Sequence, residues 1–128
     1  MNEKFYISNI SYASIGNGGG TGISGNTNNG ILVDNNVAGT NTISGNKIGF
    51  NAAADGTFPN TKHAIKFDGA KNAFTVSENE IGGHTVHAIE VVNSEKLTFS
   101  GNFIGTNETG TTAFANTKSG IHLGTGSG

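Results

Sequence analysis

The chain has 128 residues, a formal net charge of −2, 34% hydrophobic and 12% charged residues, 21 glycines and no cysteine. All seven basic residues are lysine, so no arginine is present for bidentate phosphate contacts and nucleic-acid binding is not expected. Disulfides and thiolate metal sites are excluded, no apolar run approaches the roughly 18 residues of a membrane span, and so low a charge does not fit ordinary disorder.

From the N-terminus, MNEKFYISNI has no signal-peptide shape, so export would require a signal outside this chain. We expect a single domain over 1–128, an excised piece of a longer repeat protein. Two short signatures then recur. The first joins an apolar residue and Ser to a later Ile-Gly: Ile10-Ser11 to Ile15-Gly16, Ile43-Ser44 to Ile48-Gly49, Val76-Ser77 to Ile81-Gly82, and Phe99-Ser100 to Ile104-Gly105. The second is Gly30-Ile31-Leu32-Val33, Ala64-Ile65-Lys66-Phe67, Ala88-Ile89-Glu90-Val91 and Gly120-Ile121-His122-Leu123. Both report a unit of about 23 residues that sometimes carries about ten extra.

Within each signature apolar and polar residues alternate, which is the period of a strand, and Asn, Gly, Asp and Ser separate the strands as turn residues. Three short strands per unit, with equivalent residues stacking between units, predict an all-β parallel β-helix of about four to five coils. The expected inward columns are Ile15/Ile48/Ile81/Ile104, Ile10/Ile43/Val76/Phe99, Ile31/Ile65/Ile89/Ile121 and Val33/Phe67/Val91/Leu123. Asn46/Asn79/Asn102, with Ala13 in the first unit, form a turn column in which Asn adopts the left-handed conformation and bonds along the stack. Gly16/Gly49/Gly82/Gly105 form a column that a side chain would obstruct.

The extra residues form long loops at one corner, at roughly 17–29, 50–63 and 106–119, whereas the third unit has only Gly83 to His87 there. Phe58 and Phe114 occupy matching places in two of these loops. They are either an aromatic platform for a ligand or plugs that fold each loop back onto the coil; the plug is preferred, because loops of this length need an apolar anchor.

Residues 104–123, IGTNETGTTAFANTKSGIHL, repeat residues 48–67, IGFNAAADGTFPNTKHAIKF. With TFSGNFIG before it, the later copy resembles the right-handed parallel β-helix repeats of large bacterial surface and adhesin-like proteins, whose coils often read N-x-I-G-T-N-x-x-G-T-x-A-x-x-N-x-x-x-G-I-x-L. The match is closest over 98–123, fair over 42–67 and thin over 1–33, where the excursion becomes GNGGGTGISGN. The resemblance implies right-handedness and an extracellular or cell-surface setting. In polysaccharide-active relatives, the face equivalent to the outward row Leu32/Lys66/Glu90/His122 often lines the substrate groove.

Candidate chemistry is sparse. Asp34 and Asp68 are stack neighbours, either a carboxylate pair or turn residues, and the turn reading is preferred. Glu78 and Glu80 flank Asn79 on an expected outer, solvated face. His63 and His87 precede the same strand in consecutive coils and would lie about 5 Å apart, near enough to share a metal. Their column otherwise holds Asn29 and Ser119, no carboxylate is placed as a third ligand, and an exposed polar column is preferred. His84 and His122 have no evident partners, and a Lys66/Glu90 ion pair is expected to be worth about 0–1 kcal/mol.

A lyase or glycoside hydrolase fragment would need a convergent carboxylate-plus-base cluster, with Lys as the only basic choice for a lyase. An ice-binding Thr array would rest on the single column Thr42/Thr75/Thr98, with Asn9 in the first coil. The expectation is therefore a non-catalytic structural or adhesive module without metal or cofactor, binding polysaccharide or cell-surface glycan weakly. The binding residues expected are Lys66, Glu90, His122, Phe58 and Phe114. Open coil ends predict end-to-end self-association.

Overall fold

A computed structural model of the chain describes residues 5–8, 14–16, 21–34, 39–51, 53 and 55–127. Strands follow one another in trios. The first is β1 (Phe5–Ser8), β2 (Ser14–Gly16) and β3 (Gly22–Ile23); the second β4 (Ile31–Asp34), β5 (Asn41–Ser44) and β6 (Lys47–Ile48). The third is β7 (Ile65–Asp68), β8 (Phe74–Ser77) and β9 (Glu80–Ile81); the fourth β10 (Ile89–Val92), β11 (Leu97–Ser100) and β12 (Phe103–Ile104), after which β13 (Ile121–Leu123) opens a fifth. Each trio is one rung and contributes one strand to each of three parallel sheets, ordered β1-β4-β7-β10-β13, β2-β5-β8-β11 and β3-β6-β9-β12. The described residues contain no helix, so the architecture is all-β and solenoid-like.

The alternation read from the sequence sets which residues face inward. In β4, β5, β8 and β10, buried residues alternate with half-buried ones. Ile31, Ile65 and Ile89 form one fully buried column, and Val33, Phe67 and Val91 another. Each such side chain contributes about 1.5–3 kcal/mol by leaving water. No single rung encloses its own apolar face, so this gain exists only because rungs stack.

The first rung departs from the expected register. Ile15 pairs with Ile43, and the neighbour of Ile48 is Ile23. Ile15 therefore does not join the Ile48/Ile81/Ile104 column, Gly16 lies beside Ser44 rather than Gly49, and Ser14 rather than Asn9 continues the Thr42/Thr75/Thr98 row. Ile10, Ala13 and Asn9 lie outside the described residues. The expected excursion at 17–29 also fails, because β3 runs through it and continues into a short link, 24–30, that matches the short link 82–88.

Short and long links therefore alternate from rung to rung. The long ones, 49–64 and 105–120, are each closed by an antiparallel bridge, Phe50 with Thr57 and Thr106 with Ala113. Each then clamps onto the short link of the rung before it. Phe58 donates its N–H to the Gly49 carbonyl at 2.7 Å and accepts the Gly25 N–H at 3.2 Å; Phe114 does the same with Gly105 at 2.7 Å and Gly83 at 3.0 Å. The structural unit is thus a pair of rungs, which is why residues 48–67 match 104–123.

Asparagine carries the polar part of the interior, since a buried polar group costs stability unless bonded. Asn79 Oδ1 accepts the backbone N–H of Asn46 at 3.0 Å and its Nδ2 at 2.9 Å, and Asn102 Oδ1 accepts the equivalent pair from Asn79 at 3.1 and 3.0 Å. The expected ladder forms. The left-handed residue of the turn is the one before it, Gly45, Glu78 or Gly101, so Asn serves as the bonding group and not as the strained one.

Candidate functional site

The outward face of the five-stranded sheet brings together three of the five expected binding residues. Register places Lys66 of β7 beside Glu90 of β10, and Glu90 beside His122 of β13. Glu90 does not join Lys66. Its Oε2 lies 2.9 Å from His122 Nδ1 and 3.6 Å from His87 Nε2. The short link before β10 sets His87 three residues ahead of Glu90 on the same side, and β13 brings a second imidazole from the next rung. Two ring nitrogens thus converge on the carboxylate.

The imidazoles form a column. His63 and His87 stack with centroids 5.6 Å apart and planes 7° from parallel, and His87 and His122 stack at 4.4 Å and 8°. His63 Nδ1 donates to the His87 carbonyl at 3.1 Å. His87 Nδ1 accepts the Ser119 N–H at 3.1 Å, so a neutral His87 carries its proton on Nε2, towards Glu90. Burial pushes the His63 pKa down, against the smaller opposing effect of its bond to His87. The expectation that His122 lacks partners and that the His63/His87 column lacks a carboxylate is therefore overturned. The signal was present in the i,i+3 spacing of His87 and Glu90 and in the place of His122 next to Glu90 in the outward row.

Phe58 and Phe114 belong to the long links rather than to this face. Phe114 meets Phe50 edge-on, with centroids 5.1 Å apart, and lies so close to Gly82 that a Cβ there would come within 2.8 Å of its own. It is a plug. Phe58 covers Gly25 in the same way, yet stays 58% exposed.

Two other expectations change. Glu80 is not on a solvated face: it is 4% exposed and paired with Lys47, whose pKa is raised chiefly by the hydrogen bond that its ammonium donates to this carboxylate. His84 is fully buried and takes an asparagine's place in a second ladder, Asn26/Asn60/His84/Asn116. Burial lowers its pKa to about 4, against the smaller raising effect of the bond to Asn116. Asp34 and Asp68 are register partners at the ends of β4 and β7, as expected, and Asp68 is exposed.

No protein-family model matches this chain, nor does any curated protein or solved structure. The outward face of the five-stranded sheet carries the candidate binding groups of this chain. It offers charged groups, imidazole edges and strand spacing along the stack, all suited to an extended polar ligand rather than to a small molecule enclosed in a pocket.

Proposed function

We propose that the chain is a non-catalytic structural or adhesive module, a right-handed parallel β-helix segment of a bacterial surface or secreted protein that binds glycan weakly. The observation that carries this is the in-register row Lys66, Glu90 and His122, flanked by the stacked rings of His63 and His87. Register sets polar groups one strand spacing apart, so a polymer lying along the stack meets a cation, a carboxylate and an imidazole in turn. An open face leaves much of such a ligand in water, and affinity is low for that reason.

The interior supports the structural half of the proposal. Both ladders and both loop clamps spend their hydrogen bonds holding one rung to the next, as a stalk requires. A glycan array, followed by titration of the best soluble polysaccharide, tests the reading. Binding should weaken in Lys66→Ala and His122→Ala and be unaffected in Asp55→Ala, on a loop away from the row. New reducing ends or unsaturated products in the same mixtures would replace it with a lyase or hydrolase.

A further inference from the structure

We propose that His87, Glu90 and His122 form a binding site for a divalent transition metal such as zinc or nickel. Their ligand atoms all lie within 4.8 Å of one another. A tetrahedral zinc with bonds of about 2.0–2.1 Å holds its ligands about 3.3 Å apart, and the two separations at Glu90 Oε2, 2.9 and 3.6 Å, bracket that value. Two imidazoles and one carboxylate are an N/O donor set suited to zinc, nickel and copper, and poorly suited to calcium, which takes oxygen ligands. Three protein ligands leave a fourth position open.

The elements that carry the ligands are well placed to hold them. Glu90 lies inside a four-residue strand paired on both sides, and its side chain is 14% exposed, so the central ligand is nearly fixed. His122 is the adaptable one, with its side chain 45% exposed. A metal must lie near the plane of each ring it binds, and the rings of His87 and His122 are parallel. Binding therefore turns His122 out of the stack. It also moves a proton. To offer its Nε2 lone pair, His87 must carry its proton on Nδ1, which ends the hydrogen bond from Ser119, an exposed backbone group that water then satisfies. These two rearrangements weaken affinity and give binding a signature that a surface histidine alone would not have.

The test is calorimetric titration of tag-free protein with zinc chloride and with nickel chloride at pH 7.5, together with amide NMR of the zinc complex. We expect one equivalent to bind, a shift of the Ser119 amide resonance on binding, and tenfold or greater weakening in each of Glu90→Gln and His122→Ala. Thermal midpoints without metal should be close to that of the parent in both variants, which separates lost ligands from lost folding. Unchanged affinity in Glu90→Gln and His122→Ala, an unmoved Ser119 amide, or no heat with either metal overturns the site.

Discussion

Asn60 Nδ2 lies 3.1 Å from His84 Nε2, and an amide nitrogen can only donate, so that ring nitrogen is the acceptor. The orientation of Asn60 is fixed independently, because its Oδ1 accepts the backbone N–H of Asn26 at 3.1 Å. On the other side, Asn116 Oδ1 accepts the His84 backbone N–H at 2.9 Å and faces Nδ1 at 3.3 Å. His84 is thus a neutral, Nδ1-protonated ring, held between a donor and an acceptor in a position that asparagine fills elsewhere.

Acid should therefore loosen the stack. The folded-state pKa of His84 is lowered to about 4 from an ordinary 6.5, so between these values the unfolded chain binds the extra proton. The stabilisation is complete above pH 6.5 and is lost as pH falls towards 4, by up to about 3 kcal/mol. His63, also lowered, acts in the same direction. Thermal midpoints measured from pH 7.5 to 4 should fall most steeply in this window. His84→Asn should flatten the curve, and an equally steep fall in that variant would remove His84 as the cause.

Asn79→Ala should destabilise by about 3 kcal/mol. It orphans the two Asn46 amide donors, each buried group costing about 1–3 kcal/mol when left unmade, and removes a second donor from the Ile43 carbonyl, with partial compensation by water. Ile81→Asp should prevent folding outright, since a carboxylate there faces the fully buried Ile48. Urea denaturation ranks the two. A cost below about 1 kcal/mol for Asn79→Ala would mean that the ladder is incidental to stacking.

The two loop phenylalanines should differ. Phe114→Ala should cost about 2 kcal/mol and expose residues 105–120 to proteolysis, because it removes both the edge-on contact with Phe50 and the cover over Gly82. Phe58→Ala, at an exposed position, should cost less than half as much. Limited proteolysis with mass spectrometry reads the difference directly. Equal protection in both variants would show that the backbone clamps alone hold these links.

The interior opens at the β13 side, where Ile121 is 39% and Leu123 68% exposed and Leu97, Phe99 and Ile104 are only partly covered. We expect the isolated chain to self-associate through this surface and the adjoining strand edges. Sedimentation velocity over a concentration series should show reversible dimers or larger species, and Leu123→Lys should shift the distribution towards monomer. A single monomer boundary at all concentrations would rule this out.

Local pattern alone was enough to identify the all-β stack. Alternation marks which side of a strand is apolar, and Gly and Asn mark where it turns, so the columns Ile31/Ile65/Ile89/Ile121 and Val33/Phe67/Val91/Leu123 and the Asn46/Asn79/Asn102 ladder could be written down from residue types and spacing. The outward row Lys66/Glu90/His122 followed from the same register. Where the first rung goes was not legible, because Ile15-Gly16 imitates Ile48-Gly49 in composition, while register depends on which N–H meets which carbonyl; the structure sets Ile15 beside Ile43 and Ile23 beside Ile48. Pairings between side chains were equally beyond spacing. Glu90 could have reached Lys66 or His122 from one strand position, and only the short link that swings His87 to the same side decides between them. Glu80 reads as a solvated surface group because charge usually seeks water, and His84 has no evident partner in the sequence, yet each is buried where a partner from a neighbouring rung, Lys47 or Asn60, satisfies it. That partner exists only when the rungs are stacked.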